Sequence, residues 1–455
     1  MTMRTALITG IVSLSALLAG PSAWANDTTL RPQQVRPLPG ALDTIPMVND
    51  NNPELIQDDG ILLSTFQGHH NRAIAVELNG RFDLFSHHVY AGDDEGSLNS
   101  TLWLALVAAP AGDAPVELTL LKGSTSLSQA TENNQTQAPF LPLPALMAET
   151  TEVVASGPGS RVAGDLLAGR TAQELDQRHW TLKPGHPHTV VQLPVPVAGL
   201  DPLLNGRNLQ LRLHSTGPVS LAMLAAHGSD TTPPTQRQWL DLLKSGVLST
   251  KEHSPTPRGS KGKMIYSRVS GVQIGSSWRA TLTDPGRKVL LAPKEPVSWP
   301  ISSLERGTLG TQQVQTAELS AAYPGTAWAA HGNYGVEYDL TLPIKNGGST
   351  STTLELSLDS PIKTDAPQGG LRFRETATGP VMFRGPVALR GLDDDQGRPQ
   401  GRRTVHLVLR QGQRGPALGQ LTLEPGEERT VQLRLVYPAD ATPPQVLTVQ
   451  PVKQS

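Results

Sequence analysis

The sequence predicts a mostly β protein made of two related antiparallel β-sandwich units, with short helical connectors and an extended N-terminal arm. Apolar and polar residues alternate over many short runs, which is typical of strands with one buried face. Gly and Pro, at 43 and 39 of 455 residues, are frequent enough to end that many strands. A strand–turn–strand pattern also recurs in the two halves of the chain.

Residues 1–25 have the pattern of a secretory signal peptide. Arg4 provides a positive start, residues 6–18 are apolar, and Ala23-Trp24-Ala25 gives a small-x-small cleavage pattern. The apolar run is short for a membrane span, and a buried N-terminal helix is the alternative interpretation. We therefore predict an exported chain that begins at Asn26 and is periplasmic, extracellular or associated with the cell surface.

Composition argues against several classes of protein. The net charge of −2 and the pI of about 6.6 provide no global field that would attract nucleic acid. The absence of cysteine excludes disulfides and a lipid-anchored cysteine. No other apolar segment approaches membrane length, so we expect no transmembrane segment in the mature chain.

The mature chain divides into four predicted parts. Residues 26–59 are rich in Pro, Asn and Asp and form an extended arm. Residues 60–230 form the first β-sandwich unit, and residues 231–262 form a helical connector and linker. Residues 263–455 form the second unit, to which we also assign the alternating segment 264–274.

Two segments predict short helices because both have capping-box spacing. The first begins Thr171-Ala172-Gln173-Glu174 and extends to about Trp180. The second begins Thr235-Gln236-Arg237-Gln238, continues with apolar residues on one helical face, and ends at Gly246.

Two turn signals set the predicted strand layout. Asn79-Gly80 predicts a tight turn within residues 73–85, since both residues tolerate positive φ. Residues 345–349, with the sequence Lys-Asn-Gly-Gly-Ser, predict a hairpin that joins the alternating runs 336–342 and 353–358.

An internal repeat is the main evidence that the two units are related. Residues 181–191 resemble residues 422–432, each with a strand, a Pro-Gly turn and a second strand. Further upstream, residues 101–104 match residues 353–356 at a similar offset. The alternative is that any two β domains share Pro-Gly turns and alternating leucines.

Two long blocks carry a resemblance to a known family. YSRVSGVQIGSSW at 266–278 and AWAAHGNYGVEYDLTLPIKN at 327–346 resemble a secreted cyanobacterial family known only as a domain of unknown function. With the signal peptide and YPADATPP at 437–444, the resemblance covers nearly the whole mature chain. It implies an exported or envelope location and supplies no catalytic residues.

Acidic and histidine clusters provide candidate metal ligands. The loops Asp93-Asp94-Glu95-Gly96 and Asp393-Asp394-Asp395 are rich in oxygen ligands suited to calcium, the one cofactor we consider. Neither has EF-hand spacing, and solvated turns are the alternative. One histidine from His69-His70 and one from His87-His88, with Asp93 or Glu95, would make a three-ligand site. Polar histidines at a sheet edge are the alternative.

The sequence contains no catalytic motif. It lacks Gly-x-Ser-x-Gly, a cysteine nucleophile, a phosphate loop and a dinucleotide fingerprint. Glu337 and Asp339 share a strand face and have the placement of a glycosidase carboxylate pair. Outward polar residues on any half-buried strand give the same pattern.

Positive charge is concentrated in residues 251–300, where nine Lys and Arg face three acidic residues. Gly, Pro and Ser surround many of them, so we expect several to be exposed. Such cations would hold anionic polysaccharide, and a solvated surface paired with acids elsewhere is the alternative. The candidate binding residues are Arg258, Lys261, Lys263, Arg268, Arg287 and Lys288.

These patterns favour an exported, non-enzymatic envelope or extracellular-matrix protein that acts through binding or assembly, with anionic glycans as candidate ligands. The alternative is an exported carbohydrate-active enzyme. The enzyme would need one concave cleft with converging titratable groups.

Overall fold

The computed structural model describes residues 28–67, 74–92, 101–132, 135–137, 146–148, 157–229, 231–265, 267–366 and 369–452. The predicted signal peptide, His69-His70 and the loop 93–96 lie outside these residues. The described chain is mostly β, as the sequence predicts. In it, no helix has both the length and the apolar character needed to cross a membrane.

The first half of the described chain contains β1 (Thr28–Pro32), β2 (Gln34–Val35), β3 (Ala41–Leu42), β4 (Pro46–Leu55), β5 (Gly60–Ser64), β6 (Leu78–Ala91), β7 (Thr101–Pro110), β8 (Val116–Leu127), β9 (Ala130–Glu132), β10 (Gln135–Gln137), β11 (Leu146–Ala148), α1 (Pro158–Ala168), β12 (His179–Leu182), β13 (His188–Pro196) and β14 (Leu204–Gly228). The second half contains α2 (Gln236–Ser245), β15 (Val269–Ile274), β16 (Ser277–Thr281), β17 (Leu290–Leu291), β18 (Val297–Ile301), β19 (Leu319–Ala322), β20 (Glu337–Lys345), β21 (Thr352–Asp359), β22 (Gly370–Arg374), β23 (Val381–Arg390), β24 (Arg403–Arg410), β25 (Ala417–Leu423), β26 (Glu428–Val436) and β27 (Gln445–Pro451).

The first sandwich is organised around the long strand β14. Residues 204–215 pair with β6 and β8, whereas residues 219–228 pair with β5 and β7. The ladder to β6 is interrupted between these parts, where Pro218 has no N–H to donate. Strand β14 therefore lies in both layers of the first sandwich, one with β6 and β8 and the other with β5 and β7. The two layers enclose a core that includes Leu84, Leu106 and Leu211.

The predicted tight turn at Asn79-Gly80 is wrong. Strand β6 continues through Gly80, which pairs with Ser215 where the register of β14 shifts. Gly80 has a φ of +66°, which is compatible with the irregular pairing at this point of the strand. The chain does not reverse direction there.

The second sandwich has two facing sheets. One has the order β11-β24-β23-β26-β20-β16-β3, with β17 beside β20, and the other has the order β2-β18-β27-β21-β25. Leu340, Leu356, Leu433 and Leu447 from the two sheets are all fully buried in one core. This core is therefore formed by inward-facing residues of both sheets.

The predicted hairpin at residues 345–349 is also wrong. Strands β20 and β21 belong to opposite sheets, and the turn carries the chain across the core. The Asn346 side chain donates hydrogen bonds to the Thr350 and Leu423 carbonyls at 2.8 and 2.9 Å. Two alternating strands that face one core from opposite layers have the same sequence pattern as a hairpin.

The N-terminal arm is extended, as predicted, and its four strands enter four different sheets. Strand β1 pairs with β22, β2 with β18, β3 with β16, and β4 with β6 and β15. The pairs β2–β18 and β4–β6 are parallel, as are β16–β20 and β17–β20. Most of the sheet pairings in the described chain are antiparallel, as the sequence predicts, and these four pairs are the parallel exceptions.

The two sandwiches do not follow the predicted boundaries. Strand β15 is assigned from sequence to the second unit. In the structure it pairs with β4 and β19, in the sheet that contains β14 of the first sandwich. The chain crosses to the second sandwich at Gly275, where φ is +116° and a Cβ would lie 2.5 Å from the Leu42 side chain. In the other direction, β11 pairs with β24 of the second sandwich.

Helix α2 confirms the second predicted capping box. Gln238 N–H donates to Thr235 Oγ1, Thr235 N–H donates to the Gln238 side chain, and Gly246 ends the helix with φ of +67°. The first predicted helix, over residues 171–180, is wrong. Only Gln173–Leu175 form a 3-10 turn, and the chain then enters β12.

Helix α1 is capped by distant residues, which explains why its sequence does not predict it. Gly157 provides no side-chain cap, and the Ser160 N–H instead donates to Asp440 Oδ2 at 2.7 Å. At the other end, Lys122 Nζ donates to the Leu166 carbonyl at 3.0 Å, where a cation complements the helix dipole.

The internal repeat stays a prediction. The Pro-Gly turns at 184–185 and 425–426 both join strands that pair in different layers, β12 to β13 and β25 to β26. However, the strands matched from sequence, β7 and β21, pair differently. Strand β7 pairs with β13, which follows the first Pro-Gly turn, whereas β21 pairs with β25, which precedes the second Pro-Gly turn.

A buried ion pair connects the arm to the second sandwich. Arg31 of β1 pairs with Asp359 of β21 and contacts the Phe373 ring, with its guanidinium carbon 4.6 Å from the centroid. Asp359 also accepts hydrogen bonds from Thr448 Oγ1 at 2.7 Å and Gly415 N–H at 2.8 Å. The Asp359 side chain has no solvent exposure, so Arg31 is its essential counter-charge.

Replacing Arg31 with Ala should lower the free energy of unfolding by about 3–5 kcal/mol, because a buried carboxylate loses its partner. The control is Arg237→Ala in the exposed pair with Asp241, which should cost less than about 0.5 kcal/mol. Urea unfolding followed by circular dichroism measures both. Equal small losses would contradict this role of Arg31.

Burial raises the pKa of Asp440 to about 6, because the hydrogen bond from Ser160 and nearby arginines offset only part of the desolvation. Because the pKa of Asp440 is raised in the folded state, its ionisation lowers the free energy of unfolding of the protein as pH increases from about 4 to 6. Asp440→Asn should therefore gain stability relative to wild type between pH 4 and 7, by roughly 3 kcal/mol at most.

Urea unfolding at the two pH values measures this difference. The exposed control Asp241→Asn should differ from wild type by the same amount at both. An Asp440→Asn effect that does not depend on pH would refute the assignment.

Candidate binding site

The structure places the predicted binding residues on two exposed segments and at one buried position. Arg258, Lys261 and Lys263 are exposed on the loop of residues 249–265, which we call the basic loop. Arg287 and Lys288 are exposed in the connection between β16 and β17.

These two exposed groups lie near opposite ends of β20. The connection that carries Arg287 continues into β17, which pairs with Ile344 and Lys345 at the end of β20. Ser302 N–H instead donates to Tyr338 Oη, at the start of β20, and Arg306 follows shortly after and contacts the basic loop. Six residues of strand span about 20 Å, so the two groups are carried by segments that contact β20 at different ends.

Arg268 is buried, contrary to the expectation that it binds a ligand at the surface. Its side chain donates to the Ser249 and Thr250 carbonyls at 2.8 and 2.9 Å. Only 3% of the residue is exposed, and burial lowers its pKa. Arg268 therefore anchors the start of the basic loop.

A pocket of about 50 Å³ lies beside the basic loop. Its walls come from Pro255, Thr256, Met264 and Ile265 of the loop, from residues 304–306, from Thr316 and residues 327–331, and from Lys363. Arg258 stacks over the Trp328 ring, with its guanidinium carbon 4.6 Å from the centroid, and pairs with Glu318 at 2.6 Å. The cations Arg306 and Lys363 therefore join the loop cations at one place.

Arg306 determines where the basic loop lies. Its guanidinium donates hydrogen bonds to the Ser260 and Gly262 carbonyls, on either side of Lys261. The chain after Arg306 is held by Asp365, which accepts bonds from the Gly307 and Thr308 N–H groups at 2.7 and 2.9 Å. The sequence does not predict Arg306, Trp328 or Lys363 here, because they lie on separate segments without a shared motif.

The pocket has an unusual lysine. Burial lowers the pKa of Lys363 to about 8, with Arg306 lowering it further and Asp365 raising it. Within the described residues, the Lys363 ammonium makes no hydrogen bond or ion pair. His331 also lines the pocket, and burial lowers its pKa to about 4, so it is neutral at pH 7.

The predicted calcium loop at 393–395 is engaged within the chain. Asp393 pairs with Arg429 and accepts a bond from Thr422 N–H at 2.7 Å. Asp394 binds the backbone and side chain of Arg398, and these bonds lower its pKa. Asp395 is exposed. These contacts hold the carboxylates of Asp393 and Asp394 in place.

The predicted edge position of His87 and His88 is corrected, because both lie within the paired part of β6. His88 is fully buried and its Nε2 lies 2.7 Å from Asp50 Oδ2. Burial lowers the pKa of His87 to about 4. Among described residues, the one group of three acidic or histidine side chains close enough to share an ion is elsewhere, at Glu54, Glu252 and His253.

The carboxylates considered for glycoside cleavage lie at the junction of the two sandwiches. Glu337 pairs with Arg212 of the first sandwich at 2.6 Å and with Arg434 of the second. Burial acts to raise the pKa of Glu337, but the two arginines outweigh it and leave the pKa below its usual value. Asp339 accepts a bond from Gln432 at 3.0 Å. Both residues therefore have structural partners.

The fold and the site define a protein of interleaved β-sandwiches with a small basic pocket at its surface. The chain belongs to the DUF3370 family, described as proteins of unknown function, whose model matches residues 33–451. This confirms the resemblance to a domain of unknown function. No curated protein matches the sequence.

Solved structures show only weak similarity. The tandem CBM22 domains of Paenibacillus barcinonensis Xyn10C are 9% identical, with 88% of this chain and 92% of that chain covered and a TM-score of 0.12. Lac15 from a marine microbial metagenome is 9% identical, with 92% and 65% covered and a TM-score of 0.12. Scores this low carry no information about function.

The Lys363 amine should titrate near pH 8, and its neighbours should shift that value in opposite directions. Asp365→Asn should lower the pKa, because a nearby negative charge is removed, and Arg306→Gln should raise it. Carbon-13 NMR of the lysine Cε signals, assigned with Lys363→Met, measures these values. Shifts of the same sign in both variants would contradict the described geometry.

Proposed function

We propose that this protein is an exported, non-enzymatic binding protein of the cell envelope or extracellular matrix, and that it holds anionic polysaccharide on the basic loop. One observation carries the proposal: Arg306 holds the loop on which Arg258, Lys261 and Lys263 are exposed, and Arg258 stacks over Trp328, which lines the pocket. The signal-peptide pattern and the resemblance to a secreted cyanobacterial family support the location.

The charges of the loop suit a repeating anion. Exposed cations at 258, 261 and 263 are spaced along one segment, and each can contact a different charge of a polymer. Arg258 is paired with Glu318, but both side chains are about 60% exposed. An exposed pair contributes about 0–1 kcal/mol, so a polyanion can replace Glu318 at little cost.

The enzymatic alternative has less support. A glycosidase needs two carboxylates that flank a substrate in a cleft. Glu337 and Asp339, the pair considered from sequence, are bonded to Arg212, Arg434 and Gln432. No observation on the described residues favours carbohydrate cleavage over binding.

The triple variant Arg258→Ser, Lys261→Ser, Lys263→Ser should bind an acidic polysaccharide such as alginate about tenfold more weakly at low salt, a change of about 1.4 kcal/mol. Binding by wild type should also weaken steeply as salt approaches physiological levels, since exposed charges are screened over about 8–10 Å. Sedimentation with alginate beads and biolayer interferometry measure both effects.

The matched control is Arg287→Ser with Lys288→Ser, which removes two exposed cations near the other end of β20. It should bind alginate as wild type does, and both variants should unfold at the same urea concentration as wild type. Equal losses in the two variants, or binding that is indifferent to salt, would refute the role of the basic loop.

A further inference from the structure

The size of the pocket limits what can enter it. At about 50 Å³ it has a third of the volume of the roughly 150 Å³ protein cavity that admits benzene. A sugar ring with its hydroxyl groups is larger than benzene and does not fit inside. A small substituent does fit, so a polysaccharide on the basic loop would place only a side group in the pocket.

The walls of the pocket favour a group that is partly apolar. Met264, Leu304, Ala327 and Ala329 contribute apolar surface, and Trp328 contributes the edge or face of its ring. A wholly polar group such as a sulfate ester would lose hydration against these walls without enough donors to replace it. A small carbon stem would instead bury apolar surface.

The charge in the pocket matches a single negative group. The Lys363 ammonium has no hydrogen-bond or ion-pair partner among the described residues, whereas Arg306 already donates to two carbonyls. His331 lines the same pocket and is neutral at pH 7. Glu305 is exposed at the pocket and its negative charge offsets one of the two positive charges of Arg306 and Lys363. The remaining single positive charge balances one carboxylate and leaves a doubly charged phosphate monoester unbalanced.

We propose that this pocket receives a carboxylate on a short apolar stem, attached to a sugar of the bound polysaccharide, with the Lys363 ammonium as its partner. Lactyl ethers and pyruvate ketals of sugars share this chemistry. The proposal rests on the proposed function and names the substituent that the binding site selects.

The test uses matched sugars and the full chain in isothermal titration calorimetry. N-acetylmuramic acid is compared with N-acetylglucosamine, which lacks the lactyl ether. A methyl galactoside with a 4,6-pyruvate ketal is compared with the unsubstituted methyl galactoside. In at least one arm the acidic sugar should bind about tenfold more tightly than its neutral counterpart, and the arm that responds identifies the source of the carboxylate. Equal binding within both pairs would overturn the proposal.

Two variants test the pocket by independent routes. Lys363→Met keeps the apolar stem and removes the ammonium, whereas Thr316→Phe fills the pocket from a half-buried position. Each should abolish the preference for the acidic sugar. Circular dichroism and thermal unfolding check that the variants are folded, and if Thr316→Phe does not fold, Lys363→Met alone decides. A preference retained in folded Lys363→Met would overturn the proposal.

The double variant Lys261→Ser, Lys263→Ser separates this proposal from the proposed function. It should weaken alginate binding and leave the preference for the acidic sugar intact. If alginate binds through the loop and neither acidic sugar is preferred, the pocket proposal fails and the proposed function stands. If the acidic sugar is preferred and alginate binding ignores the loop, the proposed function fails.

Discussion

Neither sandwich of this protein is complete without strands from distant parts of the chain. Residues 28–55 supply a strand to each of four sheets. Strand β15 pairs with β4 of the first sandwich, and β11 pairs with β24 of the second sandwich. Unpaired strand edges and unsatisfied backbone groups are costly, so these pairings hold the two halves in one arrangement. The buried pair of Arg31 and Asp359 adds a polar constraint, because a carboxylate without solvent contact requires its counter-charge.

The candidate site depends on the same interleaving. Arg268 is buried under the start of the basic loop and contacts its backbone, while Arg306 holds the loop from a segment that follows β18. Lys363 reaches the pocket from the segment that follows β21. Because several segments meet there, the position of the exposed cations is set by tertiary contacts with buried or half-buried arginines, and the loop itself contributes little regular structure.

Local rules succeeded where the physical cause is local. Helix α2 has its own cap in Thr235 and Gln238, so its start and end could be predicted. Helix α1 takes its cap from Asp440, which lies 280 residues away, and the helix could not be predicted. Asn346 and Gly80 are both residues that favour turns, but their local chemistry does not decide which strands pair. The turn at Asn346 joins strands of two different sheets, and Gly80 lies inside strand β6.

The sequence alone determined the mostly β class, because alternation of apolar residues follows directly from the two faces of a strand. It also determined the concentration of cations in residues 251–300 and the family resemblance. Only the tertiary structure decided which strands are neighbours, since alternating strands of one core look alike in sequence whichever sheet they join. It also buried Arg268 and brought Arg306, Trp328 and Lys363 to the pocket. Such proximity between distant residues is a property of the packed chain, and no local pattern encodes it.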